Sequence, residues 1–159
     1  MTVGRGRPGL RRLSRELALR LMFQHQSGQL KPEESLILFE RSFDPRHDEE
    51  AALELDADAF SKAWPMAKAL FLGAARRLDE LDRDIEEASA NWNPDRMAQV
   101  DLALIRLAYY EMRHCPDVPP LVSLNEALEL SKSFGDIDST AFVNGVLDRL
   151  LDAVPDGRP

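Results

Sequence analysis

The stretch that decides the fold is residues 118–151, VPPLVSLNEALELSKSFGDIDSTAFVNGVLDRLL. A proline-rich turn precedes a helical pattern over residues 123–134, and a tight FGDIDS connection leads into a second helical pattern. The stretch predicts two helices packed at a fixed angle, with a polar corner edged by aromatic side chains between them. The residues of this corner are Phe134, Asp136, Asp138, Ser139, Phe142 and Asn144.

Capping signals in this stretch predict where its helices begin and end. Ser123, with Glu126 three residues later, has the spacing of a capping box that opens the first helix. Gly135 suits a left-handed cap at the end of that helix. Asp138 or Ser139 can cap the start of the second helix.

The rest of the chain also has helical patterns. Residues 10–21 place leucines at helical spacing, and residues 99–115 are apolar almost all round, which is typical of a central helix. No run alternates like a strand. We therefore predict one all-α domain over residues 1–159, a compact bundle of about seven helices in two subdomains. The subdomains are residues 1–90, which include an acidic surface connection at 44–56, and residues 91–154, with flexible tails at 1–8 and 155–159.

Charge is distributed unevenly along the chain. Its formal net charge is −8, yet residues 1–20 contain six arginines and only one acid. Arg11, Arg12 and Arg15 fall off the leucine stripe, so we expect them on an outward, basic face of the first helix. Such asymmetry indicates a local contact with a polyanion on an otherwise acidic protein. The alternative is a basic tail without a binding role.

Catalytic and metal-binding patterns are absent from the sequence. The three histidines are far apart and lack a second ligand at helical spacing, and no GxGxxG, P-loop or GxSxG motif occurs. We therefore expect no enzyme activity, no metal and no cofactor. One cysteine, no signal peptide and no run of roughly 18 apolar residues favour a cytoplasmic protein that does not contact a membrane.

Four blocks of sequence together resemble the NusB family of bacterial transcription antitermination factors. They are RRLSRELA at residues 11–18, VDLALIRLAYYE at 100–111, DVPPLVSLNEALELSK at 117–132 and FGDIDSTAFVNGVLD at 134–148. The resemblance implies a small helical fold of two subdomains without catalysis. It also implies binding of boxA-type RNA of rRNA leader transcripts together with the ribosomal protein NusE, within an RNA polymerase antitermination complex.

The same resemblance assigns roles to individual residues. The RNA-binding residues it implies are Arg11, Arg12, Arg15, Asp138, Ser139 and Phe142, with Phe134 and Asn144 as neighbours. Phe23 and Asp101 occupy positions that the family uses to contact NusE. Single-stranded RNA is bound by arginines at its phosphates, flat side chains against its bases and polar groups at base edges, which these residue types supply. A composite site of this kind requires residues 11–15 to lie near residues 134–144.

Alternatives remain for several of these residues. Phe134 and Phe142 can instead pack in the core, and Asp138 and Ser139 can instead cap a helix. Leucines also stand at positions 102 and 121, where the family usually has basic residues. A competing hypothesis is therefore a helical interaction scaffold that binds a ribosomal protein, or itself as a homodimer, with weak affinity for RNA.

Overall fold

The computed structural model describes residues 9–42, 57–90, 92–155 and 157, and every regular element within them is helical. The helices are α1 (Leu10–Gln26), α2 (Pro32–Ser42), α3 (Ala57–Ala75), α4 (Leu78–Ala88), α5 (Gln99–His114), α6 (Pro120–Phe134) and α7 (Ser139–Leu151), with a 3-10 turn at Pro94–Arg96. These elements confirm the predicted all-α class with about seven helices. The tail at 1–8, the connection at 44–56 and most of the tail at 155–159 lie outside the described residues.

Helix α5 is the centre of the bundle. It packs against α1, α3, α4, α6 and α7. Ile105 is fully buried and Tyr109 is 2% exposed, because side chains on nearly every side of α5 meet another helix. A helix that is apolar all round is stable only when neighbours cover it. The prediction of a central helix over residues 99–115 is confirmed.

Helix α1 packs against helices from both halves of the chain. Its leucines at positions 13 and 17 pack with Ala63 and Ala67 of α3 in a small cluster. The next turns of α1, including Met22, join the main core, which also contains residues of α5, α6 and α7. Because this core draws on both halves of the chain, the division into residues 1–90 and 91–154 stays a prediction.

The predicted start of α6 is wrong by three residues. The helix begins at Pro120 rather than at Ser123, and its N-cap position, Pro119, has no side chain that could accept a hydrogen bond. Proline is well suited to the first turn because it has no N–H group to leave unpaired. The Ser123 hydroxyl therefore does not cap the helix and instead donates to Glu111 Oε1 of α5 at 3.0 Å.

The predicted left-handed cap at Gly135 is also wrong. Its φ is −89°, an ordinary value for any residue. Glycine is needed here for a different reason: an added Cβ would collide with the Ser139 side chain and the Ser131 carbonyl. Asp138 occupies the N-cap position of α7, but its side chain makes no capping hydrogen bond.

Candidate nucleic-acid interface

Long side chains bridge α1 and α6 at two places, and the two helices run in the same direction. Arg12 near the start of α1 reaches Glu126 of α6, and Arg20 two turns later lies over the ring of Phe134 at the end of α6. The two contact pairs have the same separation in sequence, which is the pattern of parallel helices in fixed register. We call this shared surface, from Arg12–Glu126 to Arg20–Phe134, the α1/α6 seam.

Arg12 is the exposed arginine at the first end of the seam. Its Nε and one terminal nitrogen donate to the two Glu126 carboxylate oxygens at 3.0 and 3.1 Å. The hydrogen bond that Arg12 donates to Glu126 raises the pKa of the Arg12 guanidinium. The Arg12 side chain nevertheless remains 46% exposed. A second acceptor such as a phosphate can therefore reach it. Arg11, next to it, is exposed as well.

Arg15 does not lie on the outer basic face, and that part of the expectation is wrong. It is only 8% exposed, and its guanidinium donates to both carboxylate oxygens of Glu111 at 2.5 to 3.1 Å. Since Ser123 also donates to Glu111, the three residues join α1, α5 and α6 at one buried point. The early start of α6 makes this possible, because it places Ser123 one turn inside the helix, against α5.

The corner between α6 and α7 is held by hydrogen bonds among its own residues. The Asp136 carboxylate accepts from the Asp138 N–H at 2.9 Å and from the Ser139 hydroxyl at 3.2 Å, while the Asp136 N–H donates to that hydroxyl at 3.0 Å. Ser139 is 1% exposed, so it holds the turn from inside. Asp138 and Asn144 face solvent.

Phe134 and Phe142 each combine two of the predicted environments. Both are partly buried and pack against the main core, as the core alternative expected. Both also retain some exposure, and the Arg20 guanidinium lies 5.2 Å from the ring centroid of Phe134. A guanidinium above an aromatic face is a favourable cation–π arrangement. The second end of the seam is therefore a partly exposed aromatic edge.

The two positions assigned to a protein partner differ in exposure. Phe23 on α1 is 43% exposed, which is unusual for a large aromatic side chain. Asp101, in the first turn of α5, is 7% exposed, and burial raises the pKa of its carboxyl although the nearby Ser139 opposes the shift. Its Oδ1 has no hydrogen-bond partner within the described part of the chain. Because Ser139 and Asp136 of the α6–α7 corner both act on its carboxyl, Asp101 lies beside that corner.

The distance between the arginines and the corner follows from the register of the seam. Residues 126 and 134 of α6 are separated by eight residues, or roughly 12 Å along a helix axis. The predicted proximity is therefore met only in part: Arg11 and Arg12 lie at one end of the seam and the corner lies at the other. A single strand of a few nucleotides would reach both.

Several residues of the seam were missed by sequence reasoning. Glu16 and Arg20 follow the predicted Arg12 at intervals of four residues and so share its face of α1, a signal that was present in the sequence. Glu126 was interpreted only as a capping residue, and no local pattern predicts its pairing with Arg12. Ile137, in the middle of the corner, cannot be singled out from the sequence because a lone aliphatic residue has no chemical signature.

Other site types find no support in the described residues. No group of three or more histidine, cysteine or acidic side chains is arranged to hold a metal ion within them. No helix in these ranges is both long and apolar enough to cross a bilayer. The fold is an all-α bundle in which Arg12 is exposed at one end of the seam, while Arg20, aromatic side chains and the polar corner lie at the other.

Comparison with known proteins identifies the family. The family model described as NusB family matches residues 12–152, and the chain belongs to this family. It is 44% identical to the transcription antitermination protein NusB of Desulfatibacillum aliphaticivorans over 89% of this chain and 90% of that protein. The NusB protein of Geotalea uraniireducens is 38% identical over 92% of this chain and 97% of its own length.

A solved structure supports the same assignment. The structure of T. maritima NusB matches with a TM-score of 0.67 at 29% identity, covering 88% of this chain and 89% of that one. The resemblance stated from the four sequence blocks is thereby confirmed. The chain is a transcription antitermination protein and has a non-catalytic role.

Proposed function

We propose that the chain binds boxA-type single-stranded RNA of rRNA leader transcripts together with the ribosomal protein NusE, as part of a cytoplasmic RNA polymerase antitermination complex. The observation that supports this most is the α1/α6 seam. It has exposed arginines, Arg11 and Arg12, at one end and the aromatic edge of Phe134 and Phe142 at the other. These are the groups that hold the phosphates and the bases of a single strand.

Within this site the residues divide by exposure. Arg11 and Arg12 bind phosphates, since both side chains are open to solvent. Asp138 and Asn144 accept or donate at base edges beside the aromatic rings. Arg15 is buried against Glu111, so its role in RNA binding is to position α1. Ser139 is buried against Asp136, so its role is to position the corner.

The NusE surface in this proposal includes Phe23 and Asp101. An exposed phenylalanine offers the apolar anchor that protein interfaces commonly have at their centre. Asp101 is only 7% exposed, so in this proposal it supports the surface from beneath and makes no direct contact through its buried oxygen. Because Asp101 lies beside the corner, NusE at this surface would also border the RNA.

The test is RNA binding by the purified chain, with and without NusE, across a salt series. The double variant R11A/R12A is expected to weaken binding and to reduce the salt slope by roughly 0.7 for each lost phosphate contact. A matched control is R83A/R96A, which removes the same charge from two exposed arginines outside the seam. Affinity and salt slope equal to the wild type in R11A/R12A would refute the assignment of the RNA site.

A second candidate is a protein-interaction scaffold with weak RNA affinity. It is favoured by the pairing of Arg12 and Arg15 with carboxylates and by Leu121, which is 49% exposed where the family usually has a basic residue. It predicts binding to NusE or formation of a homodimer, measured by sedimentation, without appreciable RNA binding. High RNA affinity of the isolated chain excludes it.

A further inference from the structure

We infer that Ile137 is a base-contacting residue of the RNA site, held out from the α6–α7 corner so that its aliphatic side chain packs against the face of one base. This inference rests on the proposed function and deepens it. The Ile137 contact would depend on burial of apolar surface, whereas the other residues of the RNA site act through charge, hydrogen bonds or aromatic rings. It also implies an orientation for the strand.

The first support is the exposure of the side chain. Ile137 is 96% exposed, far more than any other large apolar residue with high exposure in the described residues, of which the next is 49% exposed. An isoleucine in this position contributes nothing to the core. Covering this side chain with a ligand would remove nearly all of its apolar surface from water, which is favourable.

The second support is the rigidity of the turn that presents it. Asp136 and Asp138 on either side of Ile137 are joined by the hydrogen bond from the Asp138 N–H to the Asp136 carboxylate. The Ser139 N–H also donates to the Asp136 carbonyl, at 3.2 Å. Gly135 packs closely enough on Ser139 to exclude even a methyl group. A backbone so constrained loses little conformational freedom when a ligand covers the side chain that it presents.

The third support is the distribution of charge along the seam. Asp136 and Asp138 flank Ile137 and repel phosphates, whereas the arginines of α1, namely Arg11, Arg12 and Arg20 over Phe134, attract them. A strand whose phosphates follow the arginines of α1 therefore turns its bases toward the corner. Ile137, between the two carboxylates, then meets the flat face of a base, while the carboxylates are available for its amino groups.

The first experiment is RNA binding by I137S across a salt series. Affinity is expected to fall roughly five- to tenfold, as for partial loss of a buried aliphatic side chain. The salt slope is expected to stay unchanged, because no phosphate contact is lost. The matched control is I37S, which removes an isoleucine that is 49% exposed on α2; its RNA affinity should equal that of the wild type.

The second experiment locates the base by a double-mutant cycle. RNA oligonucleotides with one abasic position each are bound to the wild type and to I137S. One abasic position is expected to weaken binding to the wild type several-fold and to have little effect on binding to I137S, since the contact is already absent.

Affinity of I137S equal to the wild type overturns this inference alone, and so does a cycle without coupling at any position. The same holds for an I137S phenotype confined to self-association or to NusE binding. Failure of the wild-type chain to bind RNA, alone and with NusE, overturns the proposed function as well, so the two failures are distinguishable.

Discussion

Replacing Arg15 with methionine tests whether this arginine positions α1 or binds RNA. The substitution keeps a long side chain of similar reach but removes the charge that Glu111 faces. Glu111 is 3% exposed and would retain only the Ser123 hydroxyl as a partner. Leaving one charge of a buried pair uncompensated destabilises proteins by about 3–5 kcal/mol. In a chain of this size that corresponds to a fall in Tm of roughly 10 °C.

The double variant R15M/E111Q separates the cost of an unpaired charge from loss of packing. It removes both charges, and the glutamine can still accept from Ser123. Because neutral replacements of buried ion pairs are often tolerated, we expect the double variant to recover about 2 kcal/mol of the stability lost in R15M. Urea denaturation of the wild type, both single variants and the double variant gives the coupling free energy directly.

RNA binding by the same four proteins, measured well below their Tm values, then decides the role of Arg15. If Arg15 only positions α1, R15M/E111Q binds RNA within about a factor of two of the wild type. That factor corresponds to a change of about 0.4 kcal/mol in the binding free energy. A folded R15M/E111Q with weakened binding and a lower salt slope would show that Arg15 contacts phosphate. A loss below about 1 kcal/mol in R15M would refute the buried pair itself.

Three further predictions concern other residues of α1 and α6. E126Q frees Arg12 from its internal partner, so RNA affinity should rise by up to about fivefold, the range of an exposed ion pair, with a steeper salt slope. The control is E86Q, which removes the same charge from an exposed position on α4, and an unchanged affinity in E126Q argues against competition. Burial raises the pKa of Glu16 from 4.5 to about 7. The folded state therefore holds a proton that the unfolded chain releases, and wild-type stability should fall as pH rises through this interval. E16Q should accordingly gain about 2 kcal/mol over the wild type at pH 8, with the gain vanishing near pH 5, and a gain independent of pH in thermal denaturation would contradict this. F23S should weaken NusE binding at least tenfold, as for an aromatic anchor, and leave RNA binding by the isolated chain unchanged; equal NusE affinity in a pull-down titration would remove Phe23 from that interface.

Much of the fold could be predicted from local patterns. Apolar spacing indicated the helices, and the continuous apolar character of α5 indicated its central place, because a helix without a polar face must be covered on all sides. The cluster of arginines near the N-terminus and the polar, aromatic corner were likewise visible in the sequence. The helix ends were less predictable: Ser123 and Gly135 have residue types that suit caps, but their neighbours in space gave them other roles.

The sequence by itself determined the class of fold, the order of the helices and the asymmetry of charge, since these depend on residues close together in the chain. Only the tertiary structure decided which arginine is available. Helical periodicity places Arg11, Arg12 and Arg15 off the leucine stripe, but it cannot say which neighbouring helix covers that surface. Glu111 and Glu126 lie about a hundred residues further along the chain. Packing of α1 against α5 buries Arg15 with Glu111, whereas Glu126 on α6 pairs with Arg12 and leaves it exposed.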